Sequence, residues 1–353
     1  MSPLADELLT VKDWEDAIEQ FFERGWTDGL PVVPPTPQRV EAMLAAVADR
    51  DPDEIVGRVP PRWAAATVRL CAINAVMAGC RPEYMPVVLA AVEAVCDERF
   101  NLGGVQATTH VCAPLIVVNG PIRDAIGLNS GYNVFGQGFR ANATIGRALR
   151  LVLINVGGGI PGDTDQSTFG HPGKFTYCIA ENEAASPWPP YPVERGFDPA
   201  TSTVAVFPAE APHSVTNHVS NDAFGIGLSI ADAMSTLGSN NTFVMGEVVV
   251  VISPEHAATF RKDGWTKEDL RLFLYQKARN PMRKLQFDRR YGDLYNRNWP
   301  RWFDRSSDDE LVPVVVRPDD IHIFVAGGPA GRFSIVIPGW GRMARSVIKP
   351  IRG

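Results

Sequence analysis

Pro114-Leu115-Ile116-Val117-Val118-Asn119-Gly120-Pro121 is the stretch that decides the fold class. Its apolar run is short, is rich in β-branched residues and is stopped by Asn-Gly-Pro, which predicts a strand buried on both faces. The chain on either side changes period. Residues 64–78 and 86–96 are almost wholly small or apolar and predict buried helices, packed on a sheet or against a second subunit. A further helix is expected over 144–156, stopped by Gly157-Gly158-Gly159. Strands follow at 203–207, 247–252, 312–316, 321–326 and 334–338, with helices at 231–237, 254–263 and 266–278. Strands interleaved with helices predict an α/β fold, a mixed sheet with helices packed on it, in two sub-domains.

Residues 1–165 read as an N-terminal α/β region, 166–200 as an irregular connector and 201–353 as a C-terminal α/β region. The first region opens with a helix over 11–24, a proline-rich extended segment over 29–37 and a helix over 38–48. Residues 281–310 are rich in Arg, Asp, Trp and Tyr and show no readable period.

The chain has 353 residues, 45% of them hydrophobic and 21% charged, so it has enough material for a sizeable core and is unlike a disordered chain. The formal net charge of −6 does not favour nucleic acid or anionic lipid as a partner. No apolar run approaches the roughly 20 residues that cross a bilayer. The start, Met1-Ser2-Pro3-Leu4, lacks the basic and apolar regions of a secretory signal. The cysteines, at 71, 80, 96, 112 and 178, are odd in number and form no CxxC pair. A reducing, cytoplasmic compartment is the expectation.

Several segments carry residue types suited to chemistry. In Thr108-Thr109-His110-Val111-Cys112, extended backbone points His110 and Cys112 to one side, where an imidazole can activate a thiol. A buried, inert cysteine is the commoner arrangement. The loop from Asn129 to Asn142 combines glycines, asparagines and Arg140 ahead of a helix. Backbone N–H groups, Asn129, Arg140 and Asn142 are suited there to a small anion. Its glycine spacing matches neither a P-loop nor a dinucleotide fingerprint, so no cofactor is named. Gly170-His171-Pro172-Gly173-Lys174-Phe175-Thr176-Tyr177, continuing to Glu181, packs proton-transfer types into one run: His171, Lys174, Tyr177 and Glu181. Gly238-Ser239-Asn240-Asn241-Thr242 offers a second polar turn with Asn240 and Asn241, and residues 327–332 a third. His213 and His218 stand five apart, off the helical spacing of a zinc site, and no metal is assigned. His256 reads as a neighbour of a helix cap.

Gly25-Trp26-Thr27-Asp28-Gly29-Leu30-Pro31-Val32-Val33-Pro34-Pro35-Thr36, Asn74 to Tyr84, Arg140 to Arg147, and Ser253-Pro254-Glu255-His256 with Asp263-Gly264-Trp265 resemble a poorly characterised bacterial family. Its members are met beside, or joined to, small proteins bearing a (seleno)cysteine-Gly-Ser-Cys motif. That motif is similar to one in reductases that break carbon–heteroatom bonds with a selenol or thiol, and this chain lacks it. The resemblance implies that this chain supplies a substrate site and that a thiol- or selenol-bearing partner supplies the chalcogen. The resulting expectation is an oligomeric enzyme, or the substrate-binding subunit of one, acting on a small polar or anionic metabolite as a carbon–heteroatom lyase or thiol-linked reductase. A metal-assisted or Cys/His hydrolase and a non-catalytic assembly subunit are the alternatives. The reading requires the segments near 110, 140, 175 and 240 to share one cavity.

Overall fold

The structure, a computed structural model, describes residues 9–285, 304 and 306–352. The strands are β1 (Ile55–Val59), β2 (Ala64–Thr67), β3 (Ala113–Asn119), β4 (Cys178–Ala180), β5 (Thr203–Ala209), β6 (His213–Thr216), β7 (Val248–Ile252), β8 (Arg279–Pro281), β9 (Leu311–Pro313), β10 (Ile321–Val325), β11 (Phe333–Pro338) and β12 (Val347–Pro350). They form two four-stranded sheets, ordered β12-β5-β3-β4 and β10-β7-β11-β6, and the two-stranded ribbons β1-β2 and β8-β9. Each large sheet is mixed: β3 runs parallel to β4, and β10 parallel to β7, with the remaining neighbours antiparallel. The fold is α/β, with helices packed on mixed sheets.

The alternation of side chains along each strand builds the layers. Leu115 and Val117 of β3, with Ala205 and Phe207 of β5, meet Val249 and Val251 of β7, Phe324 of β10 and Ile337 of β11 between the two sheets. The other faces of β3 and β5, carrying Ile116, Val118, Val204 and Val206, pack into a core with the helices Val68–Ala78, Met85–Val95 and Arg140–Asn155. Val248, Val250, Ile321 and Ile323 likewise meet the helices Ala223–Met234, Pro254–Lys262 and Lys267–Lys277. The layers run helix, sheet, sheet, helix. Both faces of each sheet are covered, which is why the strands read as continuous apolar runs.

The sheets are tied at one corner by a bridge between Ala209 and Gly339. The Glu210 N–H donates to the Pro338 carbonyl (2.9 Å) and the Trp340 N–H to the Pro208 carbonyl (3.0 Å). Gly339 is required there, because a Cβ would lie 2.4 Å from the Glu247 carbonyl oxygen. β5 and β12 belong to residues 201–353 in sequence and to the sheet of β3 by pairing, so the sheets interleave the sequence regions.

Several boundaries differ from the sequence expectations. The helix expected over 64–78 starts at Val68, capped by Thr67, whose hydroxyl accepts from the Leu70 N–H (3.2 Å). Residues 64–67 pair with β1 instead, since a run of alanines carries no period that separates strand from helix. The helix expected over 231–237 spans Ala223–Met234; Gly225 and Gly227 hide its start by lowering helix propensity. Gly227 packs so closely on Phe273 that a Cβ would lie 2.8 Å from its ring. The 144–156 helix begins earlier, at Arg140, and the 312–316 strand shortens to Leu311–Pro313. Within 281–310, residues 286–303 and 305 lie outside the described residues. Among the described residues no helix is long and apolar enough to cross a membrane.

Phe207 touches Tyr191, Phe324 and the His322 ring between the sheets, and is 1% exposed. Phe207→Ala is expected to destabilise the fold by about 3–5 kcal/mol. A denaturant midpoint unchanged from wild type would show that the inter-sheet core carries no such load.

Candidate functional site

Strand register collects one polar cluster. Ala113 pairs with Ala209, and Ile116 with Cys178, so the segments before β3, before β4 and after β5 arrive at the same end of the sheet. There His110 Nε2 lies 2.8 Å from Glu210 Oε1, the two side chains 25% and 19% exposed. His110 Nδ1 is buried and has no partner among the described residues. The Tyr177 hydroxyl donates to the Glu210 carbonyl (2.9 Å), and its ring meets His171 edge-on, centroids 5.5 Å apart. His171 Nδ1 accepts from the Gly173 N–H (3.1 Å). Burial pushes the His171 imidazole down to about 4, against the pull of the Ala209 carbonyl, so this ring is neutral at pH 7.

A cleft of about 120 Å³ has Lys174, Asp165 and Arg150 in its lining, and its lining includes none of His110, His171, Tyr177 and Glu210. Lys174 Nζ donates to both oxygens of Asp165 (2.7 and 2.6 Å), and Asp165 also accepts from the Ser167 N–H (3.1 Å). The Ser167 hydroxyl donates to the His110 carbonyl (3.1 Å) and so joins cleft to histidine. Arg147 and Arg150, three apart on the 140–155 helix, reach the cleft region from the same face. Arg147 pairs with Asp28 through two bonds of 2.8 Å. Arg150 Nε donates to the Lys174 carbonyl (2.6 Å), and its two terminal nitrogens have no partner among the described residues. Burial holds the Arg150 guanidinium below the usual arginine range, and Asp165 pulls it back up.

The structure therefore brings His110, His171, Lys174 and Tyr177 together and puts the remaining sequence candidates elsewhere. Asn129 and Asn142 bond to each other: Asn142 Oδ1 accepts from the Asn129 N–H (2.8 Å) and Nδ2 donates to the Asn129 carbonyl (2.9 Å). Arg140 Nε donates to the Gly79 carbonyl (3.0 Å), closing the end of the 68–78 helix. Asn240 donates to the Gly339 carbonyl (3.2 Å), while Asn241 donates to the Gly246 and Glu247 carbonyls and accepts from the Gly339 N–H (2.9 Å). The 238–242 turn is the start of a short helix, Asn240–Val244. Glu181 is fully buried, takes bonds from Asn119 Nδ2 (2.6 Å) and the Tyr191 N–H (2.9 Å), and lies 3.8 Å from Lys267. Burial pushes its carboxyl up. The segments near 110 and 175 share a site, and those near 140 and 240 serve the scaffold.

Cys112 is buried, donates to the Val105 carbonyl (3.6 Å) and is pushed up to about 12 by desolvation, so it is a protonated thiol at neutral pH. Cys80 and Cys96 are likewise pushed up to about 12 by burial, and Cys71 and Cys178 are raised by the same cause. His256 bonds to Ser334 Oγ (2.9 Å) and the Asn217 carbonyl (3.2 Å) beneath its helix, and its N–H meets the Ser253 cap (3.4 Å). His213 sits on β6, and the His218 ring stands edge-on to Phe333. Among the described residues no three His, Cys, Asp or Glu side chains form a group that could hold a metal.

The glycine-rich turns make a second concavity. Residues 133–136 and 327–331 wall a groove of about 430 Å³ with Val251 and Ile335 also lining it. The Gly327 N–H donates to the Ser130 carbonyl (2.9 Å), and Tyr132 lies so close to Gly328 that a Cβ would meet its ring at 2.3 Å. Phe135 of this groove packs against the Tyr177 ring of the histidine cluster, centroids 6.2 Å apart. Glu210, Asp165 and Arg150 are the site residues that sequence reading missed. Glu210 is an isolated charge in its segment, Asp165 and Arg150 stand close to Asp163 and Arg147, and only the folded chain shows where each points. Comparison with protein-family models, curated proteins and solved structures gives no match.

Because the folded state holds His171 neutral and the unfolded chain protonates it near 6.5, the unfolded state binds more protons as pH falls through that range. Stability is therefore lost on acidification from about 6.5 towards 4, on the order of 2 kcal/mol by pH 5 from this group. His171→Gln is expected to flatten that segment of the stability–pH curve. Superimposable wild-type and variant slopes in denaturant titrations would contradict a buried neutral imidazole.

Proposed function

We propose that this chain is an enzyme, or the substrate-binding subunit of one, that moves a proton on a small anionic metabolite beside His110. The observation that supports it is the contact between His110 Nε2 and Glu210 Oε1 at 2.8 Å, linked through Ser167 and Asp165 to a cleft that Arg150 lines. A carboxylate on one ring nitrogen fixes the tautomer and stabilises the imidazolium. In the lyase form of the reaction, His110 removes a proton from a substrate carbon, the electron pair forms a carbon–carbon double bond, and the heteroatom leaves with its bonding pair. Lys174 is engaged by Asp165 and acts as a positioning cation. Tyr177 and His171 hold the Glu210 backbone and the neighbouring ring wall.

A thiol-linked version of the chemistry needs its thiol from outside the chain, because burial keeps the five cysteines protonated. This agrees with the resemblance to the family that accompanies small (seleno)cysteine-Gly-Ser-Cys proteins. The same protonation speaks against a Cys/His hydrolase built on His110 and Cys112.

The test is proton exchange or elimination followed by NMR in D2O on a panel of small carboxylate metabolites, with and without an added dithiol. His110→Ala is expected to lower the rate about 10²–10⁴-fold, and Glu210→Gln less, with the fold unchanged by circular dichroism. Full activity in His110→Ala overturns the reading.

A further inference from the structure

We infer that the cleft beside Arg150 is a binding site for a short-chain aliphatic monocarboxylate; the inference rests on the proposed reading of this site and names its substrate class. The charge balance of the walls comes first. Lys174 is neutralised by Asp165, and Arg147 by Asp28, each through two short bonds. Arg150 is the lining cation with no carboxylate within ion-pair contact among the described residues; its bond goes to a carbonyl, and Asp165 and Asp28 act on it only from a distance. With Arg147 counted against Asp28, the cleft and its rim carry at most one positive charge in excess, which matches a monoanion and leaves a phosphate or sulfate dianion with an unmet charge.

Geometry selects the kind of monoanion. Nε of Arg150 is anchored on the Lys174 carbonyl, which fixes the guanidinium plane and presents the terminal nitrogens as a fork. A planar carboxylate accepts such a fork through two parallel bonds. Besides the guanidinium and the paired Asp28, Asp165 and Lys174, the lining is Gly159 and the apolar Ile154, Pro161 and Phe175. A volume of about 120 Å³ holds on the order of four to ten water-sized groups, room for a carboxylate carrying a few carbons and too little for a nucleotide or sugar phosphate.

The test titrates the full-length protein with butanoate, and separately with inorganic phosphate and sulfate, by calorimetry at low ionic strength. Butanoate is expected to bind, with phosphate and sulfate at least tenfold weaker. Arg150→Gln is expected to weaken butanoate at least tenfold, and Arg150→Lys by an intermediate factor because charge remains and the fork is lost. Phe175→Asp, a change at an exposed side chain, puts a carboxylate at the cleft wall and is expected to weaken butanoate without touching Arg150. Unchanged affinity in both Arg150→Gln and Phe175→Asp, or phosphate or sulfate binding tighter than butanoate, overturns the inference. His110→Ala separates the two readings. Butanoate binding retained in a variant whose turnover is also retained sinks the proton-transfer role and keeps the site; loss of turnover in His110→Ala with no butanoate binding in wild type does the reverse.

Discussion

The inner faces of the two four-stranded sheets must be buried against each other, and the rest of the molecule is arranged around that contact. Phe207, Phe324 and Tyr191 form its aromatic centre, with Leu115, Val117, Val249 and Val251 around them. Each sheet then needs helices on its far face, because those residues are equally apolar. Polar side chains are driven to the ends of the strands, where the sheet stops and backbone groups need partners. The His110–Glu210 cluster lies at one such end, beside the corner where Ala209 and Gly339 tie the sheets. Its position follows from the core.

A different strand end shows the structural use of the same residue types. Glu181 and Asn119 are fully buried and bonded to each other, and Lys267 bridges towards Glu181 and Glu194. Arg271 donates to the Glu194 carboxylate at 2.6 Å. Here the carboxylates meet cations and amides that are themselves buried, so the charges hold the 267–277 helix to the sheet edge. Both clusters keep buried atoms without a hydrogen-bond partner among the described residues, Glu181 Oε1 and Asn119 Oδ1 here and His110 Nδ1 there. What separates them is exposure: the Glu181 and Lys267 side chains are 0% and 5% exposed, those of His110 and Glu210 25% and 19%.

The fold class was legible because the strands are apolar on both faces and the helices have their own period. Short elements were not: Val347–Pro350 joins a sheet through β5, a partner far away in sequence, and nothing local marks it as a strand. Of the site, His110 and the 171–177 run were legible from side-chain chemistry. Glu181 has the same chemistry and belongs to the scaffold, since four further residues of β4 and its exit carry it to a different set of neighbours. Asn129, Asn142 and Asn241 satisfy backbone groups in loops, which is what asparagine does most often in turns. Glu210 and Arg150 depend on the β3–β5 register and on helix phase, which sequence spacing alone leaves open.

β12 completes the sheet of β3 by pairing with β5, and Lys349 bonds to Asp97 (3.0 Å) while the Arg345 N–H bonds to the Arg99 carbonyl (2.8 Å). A growing polypeptide therefore carries an open β5 edge until residue 350 has left the ribosome. Pairings across such long spans are slow to form and leave strand edges open to the wrong neighbours. During synthesis, the time between β5 and β12 is when this protein is most exposed to aggregation and has most need of a chaperone.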